Sequence, residues 1–110
     1  MQYIKQAIFY PNDNTNKDSL TQFWIHLTNN SMYRPIINEI SQLPGFVKRE
    51  IIITDDRVRA TAISRIVFAD SDSFKIYIEH EGYQSVWEYV KIMAENDDIH
   101  CEISNLVIQE

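Results

Sequence analysis

Two glycines and three prolines in 110 residues leave little material for sites built on loops. Phosphate loops, nucleophile elbows and dinucleotide fingerprints each need several glycines at fixed spacing, so that backbone can approach the ligand with no Cβ in the way. Gly45 and Gly82 stand alone. The same scarcity predicts that most of the chain lies in regular elements. A single cysteine, Cys101, excludes an internal disulfide and fits a reducing compartment. The first residues, MQYIKQAIFYPND, lack the pattern of a secretory leader, so the cytoplasm is the expected location. No apolar run approaches the ~20 residues of a bilayer-spanning helix. Cations are scarce too: ten Lys and Arg against 16 Asp and Glu give a net charge of −6, and the ten are scattered. Binders of nucleic acid need clustered cations to displace counterions from phosphates. Neither nucleic acid nor a membrane surface is an expected partner.

What is present is a core. Hydrophobic residues make up 45% of a length that suits one domain, so residues 1–110 are read as a single unit. YIKQAIFY (Tyr3 to Tyr10) is aromatic and β-branched and ends at Pro11, which predicts a strand. After the polar PNDNTNK loop, Asp18 is a plausible N-cap, and Leu20, Phe23, Trp24 and Leu27 follow helical spacing. A second helical stretch turns Ile36, Ile37, Ile40 and Leu43 inward, with Pro35 in its first turn; one long helix kinked at Pro35 is the alternative. A strand over Phe46 to Thr54, a turn at Asp55-Asp56-Arg57 and a strand over Val58 to Ala69 form an antiparallel pair. Asp70, Ser71 and Asp72 offer caps for a helix running from Phe74 to about Ala94, disturbed at Gly82. Ile99 to Gln109 is the last strand. Its apolar phase shifts after Ile103 to Leu106 and Ile108, which predicts a bulge near Ser104-Asn105 or burial of both faces.

The order is β-α-β-β-α-β, and the fold class is α+β: a ferredoxin-like sandwich with both helical layers on one face of a four-stranded antiparallel sheet. The middle strands hold apolar residues at both parities, as Ile51-Ile52-Ile53 and Ile66-Val67-Phe68. A sheet wet on one side should alternate more cleanly. A second copy covering the open face resolves this, so a homodimer is expected.

LPGFVKREI, joining the first helical region to the second strand, and IVFADSDSFKIYIEHEGYQSVWEYV carry a resemblance. In these segments and in element order the chain resembles the dimeric α+β barrel superfamily, from Tyr3 to Ile108. That superfamily includes the antibiotic-biosynthesis-type monooxygenases, haem-degrading monooxygenases and stress-responsive A/B barrel proteins. The resemblance implies a barrel closed across a dimer and a ligand between helices and sheet. It also implies oxidation of an aromatic or polycyclic metabolite by O₂ without a cofactor. Haem degraders of the group carry an Asn on the first strand and a His on the second helix. Here the first strand offers Gln2 and Gln6, and Asn12 lies past Pro11, so His80 alone does not point to haem.

His80-Glu81-Gly82-Tyr83-Gln84 differs by one residue from the helical zinc motif H-E-x-x-H. Gln84 is a poor zinc ligand, and His26, His100 and Cys101 are scattered, so no metal is expected. Asn12, Asn14 and Asn16 alternate like the start of a calcium loop, but Lys17 and Phe23 occupy its glycine and glutamate positions. What remains is an aromatic group with a histidine. Tyr83, Val86, Trp87, Val90, Met93 and Ala94 share a helix face, with His80 on its flank; Phe23 and Trp24 face it from the first helix, and Tyr33 follows near the break. These residues are either packing, as buried Trp and Tyr commonly are, or the walls of a flat apolar pocket. In the pocket reading, Trp24, Tyr33, Tyr77, Tyr83 and Trp87 hold a ring, His80 is a general base, and Arg59 or Arg65 stabilises an anion. The function expected is a small cofactor-independent monooxygenase; the alternatives are a non-catalytic dimeric binding or stress-related module and, third, a haem binder.

Overall fold

The computed structural model describes residues 1–13, 18–54 and 60–109. Its elements are β1 (Gln2–Pro11), α1 (Asp18–Thr28), α2 (Tyr33–Ile40), β2 (Phe46–Thr54), β3 (Thr61–Phe68), α3 (Ser71–Glu79), α4 (Glu81–Asn96) and β4 (Ile99–Ile108). The expected turn at Asp55-Asp56-Arg57, the strand start at Val58, Arg59, and Asn14 and Asn16 lie outside the described residues. The strands form one antiparallel sheet in the order β2-β3-β1-β4. This is the ferredoxin-like α+β arrangement. No described helix is long and apolar enough to cross a membrane.

Register sorts each strand into two faces, because successive side chains point to opposite sides. Tyr3, Lys5, Ala7 and Phe9 of β1 pair with Phe68, Ile66, Ser64 and Ala62 of β3, and these face the helices. The core above them is aromatic: Phe9 packs on Phe23 at 5.1 Å between centroids, and Phe68 stacks on Tyr77 at 5.2 Å. From α4, Tyr83, Val86, Trp87, Val90 and Ala94 are buried, as helical spacing predicted. The first helical region is two helices, with Pro35 in the opening turn of α2, where a missing N–H costs nothing. Asp70 caps α3 by accepting from the Ser73 amide at 2.7 Å.

Two local expectations are corrected. The strand β4 has no bulge: ten consecutive pairs to β1 run from Gln2–Ile108 to Pro11–Ile99. Its phase shift has another cause. Ile99, Cys101 and Ile103 face the helices, and Leu106 and Ile108 lie on the opposite face, beside Ile4 and Gln2. The strand exchanges its apolar side without breaking register, and in the single chain Leu106, Val107 and Ile108 stay exposed. The irregularity lies instead in β2, where a register shift falls between Phe46 and Lys48. The second correction concerns Gly82. The helix breaks two residues earlier, at His80, whose backbone is extended (φ −72°, ψ 116°). The His80 amide bonds the Tyr77 carbonyl, and its own carbonyl accepts from the Tyr83 and Gln84 amides, so one residue ends α3 and starts α4.

Candidate functional site

The HEGYQ segment builds a helix junction. Helices end with unpaired carbonyls, and the Gln84 amide donates to one of them, that of Ile78. The His80 ring is exposed, stacks on Tyr83 at 4.1 Å between centroids, and would lie 3.0 Å from a Cβ at position 82. Gly82 leaves room for that ring. His80 therefore sits on the outer side of Tyr83 and lines none of the cavities described below.

Tyr33, Tyr77, Tyr83 and Trp87 are buried in the core. The Trp87 indole donates to the Tyr77 hydroxyl at 2.7 Å, and the Tyr83 hydroxyl donates to Glu39 at 2.9 Å, tying α4 to α3 and α2. Burial holds the Tyr77 phenol far above its usual range, outweighing the hydrogen bond from Trp87. These rings pack mainly on one another. Trp87 also borders a cleft of about 400 Å³ between α3, α4 and the β1–β4 pair, with Lys5, Gln84, Lys91 and Asn105 among its walls. Burial, and then the charge of Lys91, lower the pKa of Lys5 there.

Trp24 is elsewhere, partly buried against the core and 6.1 Å from Phe9 between ring centroids. It lines a cavity of about 160 Å³ with Leu20, Thr21, Ile25, Ile53 and Ala62. Thr28, one turn beyond Trp24 on the same helix face, lines a second cavity of about 220 Å³ with Tyr33, Arg34, Ile37, Asn38 and Arg49. On the strand side, Arg49, Ile51 and Ile53 pair with Ile66, Ser64 and Ala62, so all three face the helices. The first cavity therefore lies between α1 and the edge strand β2 and the second mainly between α2 and β2, one after the other along a groove on the helix-facing side of β2.

Arg65 is not the cation of this groove. It points to the open face of the sheet, where it donates to Gln6 at 2.8 Å and lies 3.9 Å from Glu50. The guanidinium that faces the helices is that of Arg49, which the sequence reading missed. The register shift at Phe46/Lys48 reverses the alternation and brings Arg49 inward where simple counting from Phe46 would bring Lys48 and Glu50. Arg49 Nη2 donates to the Tyr33 hydroxyl at 2.9 Å, and its Nε is buried with no partner among the described residues. Burial raises the Tyr33 pKa against the opposing pull of Arg49, so the phenol keeps its proton at neutral pH and has an O–H to donate. Ser64, on the sheet floor, also has a buried hydroxyl with no partner among the described residues. Among the described residues, no three His, Cys, Asp or Glu side chains converge as a metal site would require.

No protein-family model matches the chain, and no curated protein matches it. Solved structures do match in fold. A variant of SnoaB, a cofactor-independent oxygenase from Streptomyces nogalater, aligns over 99% of this chain and 94% of its own with a TM-score of 0.62 at 13% identity. A Bacillus cereus protein described as a candidate antibiotic biosynthesis monooxygenase aligns over 99% of this chain and 94% of its own, at 0.59 and 14% identity. A dimeric ferredoxin-like protein from an uncultured marine organism aligns over 99% of this chain and 97% of its own, at 0.61 and 9% identity. The chain thus shares the ferredoxin-like fold of antibiotic-biosynthesis-type monooxygenases.

Proposed function

We propose that the chain works as a homodimer that binds a small aromatic metabolite in the groove between α1 and β2. The observation that carries this reading is the Trp24 cavity. Its walls are almost wholly apolar, and at about 160 Å³ it suits a single aromatic ring better than a polycycle. Binding is the part of the function that the geometry supports best, since Tyr77, Tyr83 and Trp87 fill the space behind His80. Titration of the protein with substituted benzenes, followed by tryptophan fluorescence, tests it. Trp24→Ala should weaken binding at least about tenfold, the scale of one buried aromatic contact. Equal affinity in wild type and variant would remove the groove from the proposal.

A second reading, cofactor-independent oxygenation of a phenol, is favoured by Arg49 beside Tyr33. A guanidinium there would stabilise a bound phenolate, the electron-rich form of such a substrate. His80 lines neither groove cavity, so it is the base proposed only for a phenol bound outside the groove, on the exposed side of Tyr83. Oxygen uptake with a bound phenol, unchanged in His80→Phe, would dismiss His80 from that role.

A further inference from the structure

The end of the groove opposite Trp24 has its own chemistry. Its walls carry two guanidinium groups, Arg34 and Arg49, with the Tyr33 phenol, the Asn38 amide and Thr28, and no carboxylate from among the described residues. In a chain with 16 acidic residues and a net charge of −6, that composition is notable. Neither arginine has a salt bridge to a described carboxylate. Lys48, next to Arg49 in sequence, holds Glu50 at 2.6 Å on the other face of the sheet. The Thr28 hydroxyl is spent on the Trp24 carbonyl at 2.9 Å. The Tyr33 oxygen accepts from Arg49 and keeps its proton for a further acceptor. Donors therefore outnumber acceptors, and the missing member of the cluster is an anion.

Along the groove, the polar end passes into the apolar one within a short distance. Four strand residues from Arg49 to Ile53 span about 13 Å, and seven helix residues from Thr21 to Thr28 span about 10 Å. Ile25 and Ile53, which line the apolar end, are 46% and 66% exposed, so apolar surface stands open where a ligand's body would cover it.

We propose that the groove is a binding site for an aryl-alkanoate: an aromatic ring in the Trp24 cavity, joined by a short chain to a carboxylate held by Arg49 and Arg34. The planar fork of a guanidinium matches a carboxylate with two parallel hydrogen bonds. Tyr33 donates a third. The inference rests on the groove reading above and adds the charge of the ligand to it.

The test compares 4-phenylbutyrate with its neutral amide, 4-phenylbutanamide, by calorimetry on wild type, Arg49→Gln, Arg34→Gln and Trp24→Ala. The carboxylate should bind at least about tenfold tighter than the amide, the scale of a charge-assisted hydrogen bond. Arg49→Gln should abolish that preference without weakening the amide, Arg34→Gln should reduce it, and Trp24→Ala should weaken both ligands. Equal binding of acid and amide by wild type, with both weakened in Trp24→Ala, overturns the carboxylate site and leaves the aromatic groove standing. Binding of neither ligand at millimolar concentration overturns it as well. The wild-type comparison decides even if Arg49→Gln does not fold.

Discussion

Trp87 shows how a side chain can belong to the core and still be chemically specific. Its indole N–H has one acceptor, the Tyr77 hydroxyl, and both groups are buried. A buried donor left without an acceptor costs roughly 1–3 kcal/mol. Trp87→Phe and Tyr77→Phe should each destabilise the fold by about that much, and the double variant should lose less than their sum. Urea unfolding of the four proteins measures this; strictly additive losses would show that the bond contributes nothing. Cys101 supplies a pH dependence. Burial, more than the charge of Glu102, pushes its thiol up from the ordinary 9.0 to about 11, against the pull of Lys91. Between those values the unfolded chain loses a proton that the folded chain keeps, so stability falls as pH rises through this window. The urea midpoint should drop from pH 9 to 11, and the drop should be shallower in Cys101→Ala; identical slopes would contradict the assignment. Tyr77 and Trp87 were legible in the sequence because helical spacing is regular. Arg49 was not, because one irregular residue pair in β2 reverses the parity of everything after it, and Ile51-Ile52-Ile53 reads the same in either parity.

Elements meet at two junctions where glycine has a physical task. Gly45 turns the chain from α2 into β2 with φ +78°, and a Cβ there would lie 2.6 Å from Ser73 Oγ and 2.7 Å from Asp70 Oδ2. Its carbonyl also accepts from the Ala69 amide at 2.8 Å, so the turn and the cap of α3 are pressed together. Gly45→Ala adds a left-handed backbone penalty of about 1–2 kcal/mol to that collision. It should therefore lower stability more than Asp70→Ala, which removes only the cap, for about 1 kcal/mol. Thermal melts of both variants rank them, and the reverse order would mean that the turn relaxes freely. Gly82 is the milder case, since the atom it accommodates belongs to the exposed ring of His80. The order and type of the elements were legible from period and punctuation. The junction at His80 and the unbroken β4 were not. His80 has no turn signature, and an apolar phase shift looks the same whether a strand bulges or changes the face that it buries.

At the scale of the whole molecule, the open face of the sheet is the feature still without a partner. Ile4, Ile8, Ile52, Ile63, Val67, Leu106 and Ile108 share it, in two apolar bands separated by the polar row Glu50, Arg65, Gln6 and Ser104. Ile4 and Val67 are already buried among their neighbours, while Ile52, Leu106 and Ile108 are 37–45% exposed. Apolar bands left open on a sheet face mark an interface, and the polar row between them is paired within the chain by the Arg65–Gln6 hydrogen bond. A second copy laid on it would close two sheets into a barrel. It would cover the end of β4, whose exchange of apolar sides then has a purpose: one half of the strand serves its own helices and the other half serves the partner. A specific dimer buries about 1,200–2,000 Å² in total, and a carboxylate at position 8, directly opposite Glu102, would place a desolvated like-charge pair in an apolar band of that face. Ile8→Glu should therefore convert a dimer, measured by light scattering at about 10 μM protein, into a folded monomer with an unchanged far-ultraviolet dichroism spectrum. Because the groove between α1 and β2 is on the opposite side of the sheet, that monomer should still bind 4-phenylbutyrate. A wild type that scatters as a monomer would refute the dimer, and a monomeric Ile8→Glu protein that no longer binds would tie the groove to the assembly rather than to the single chain.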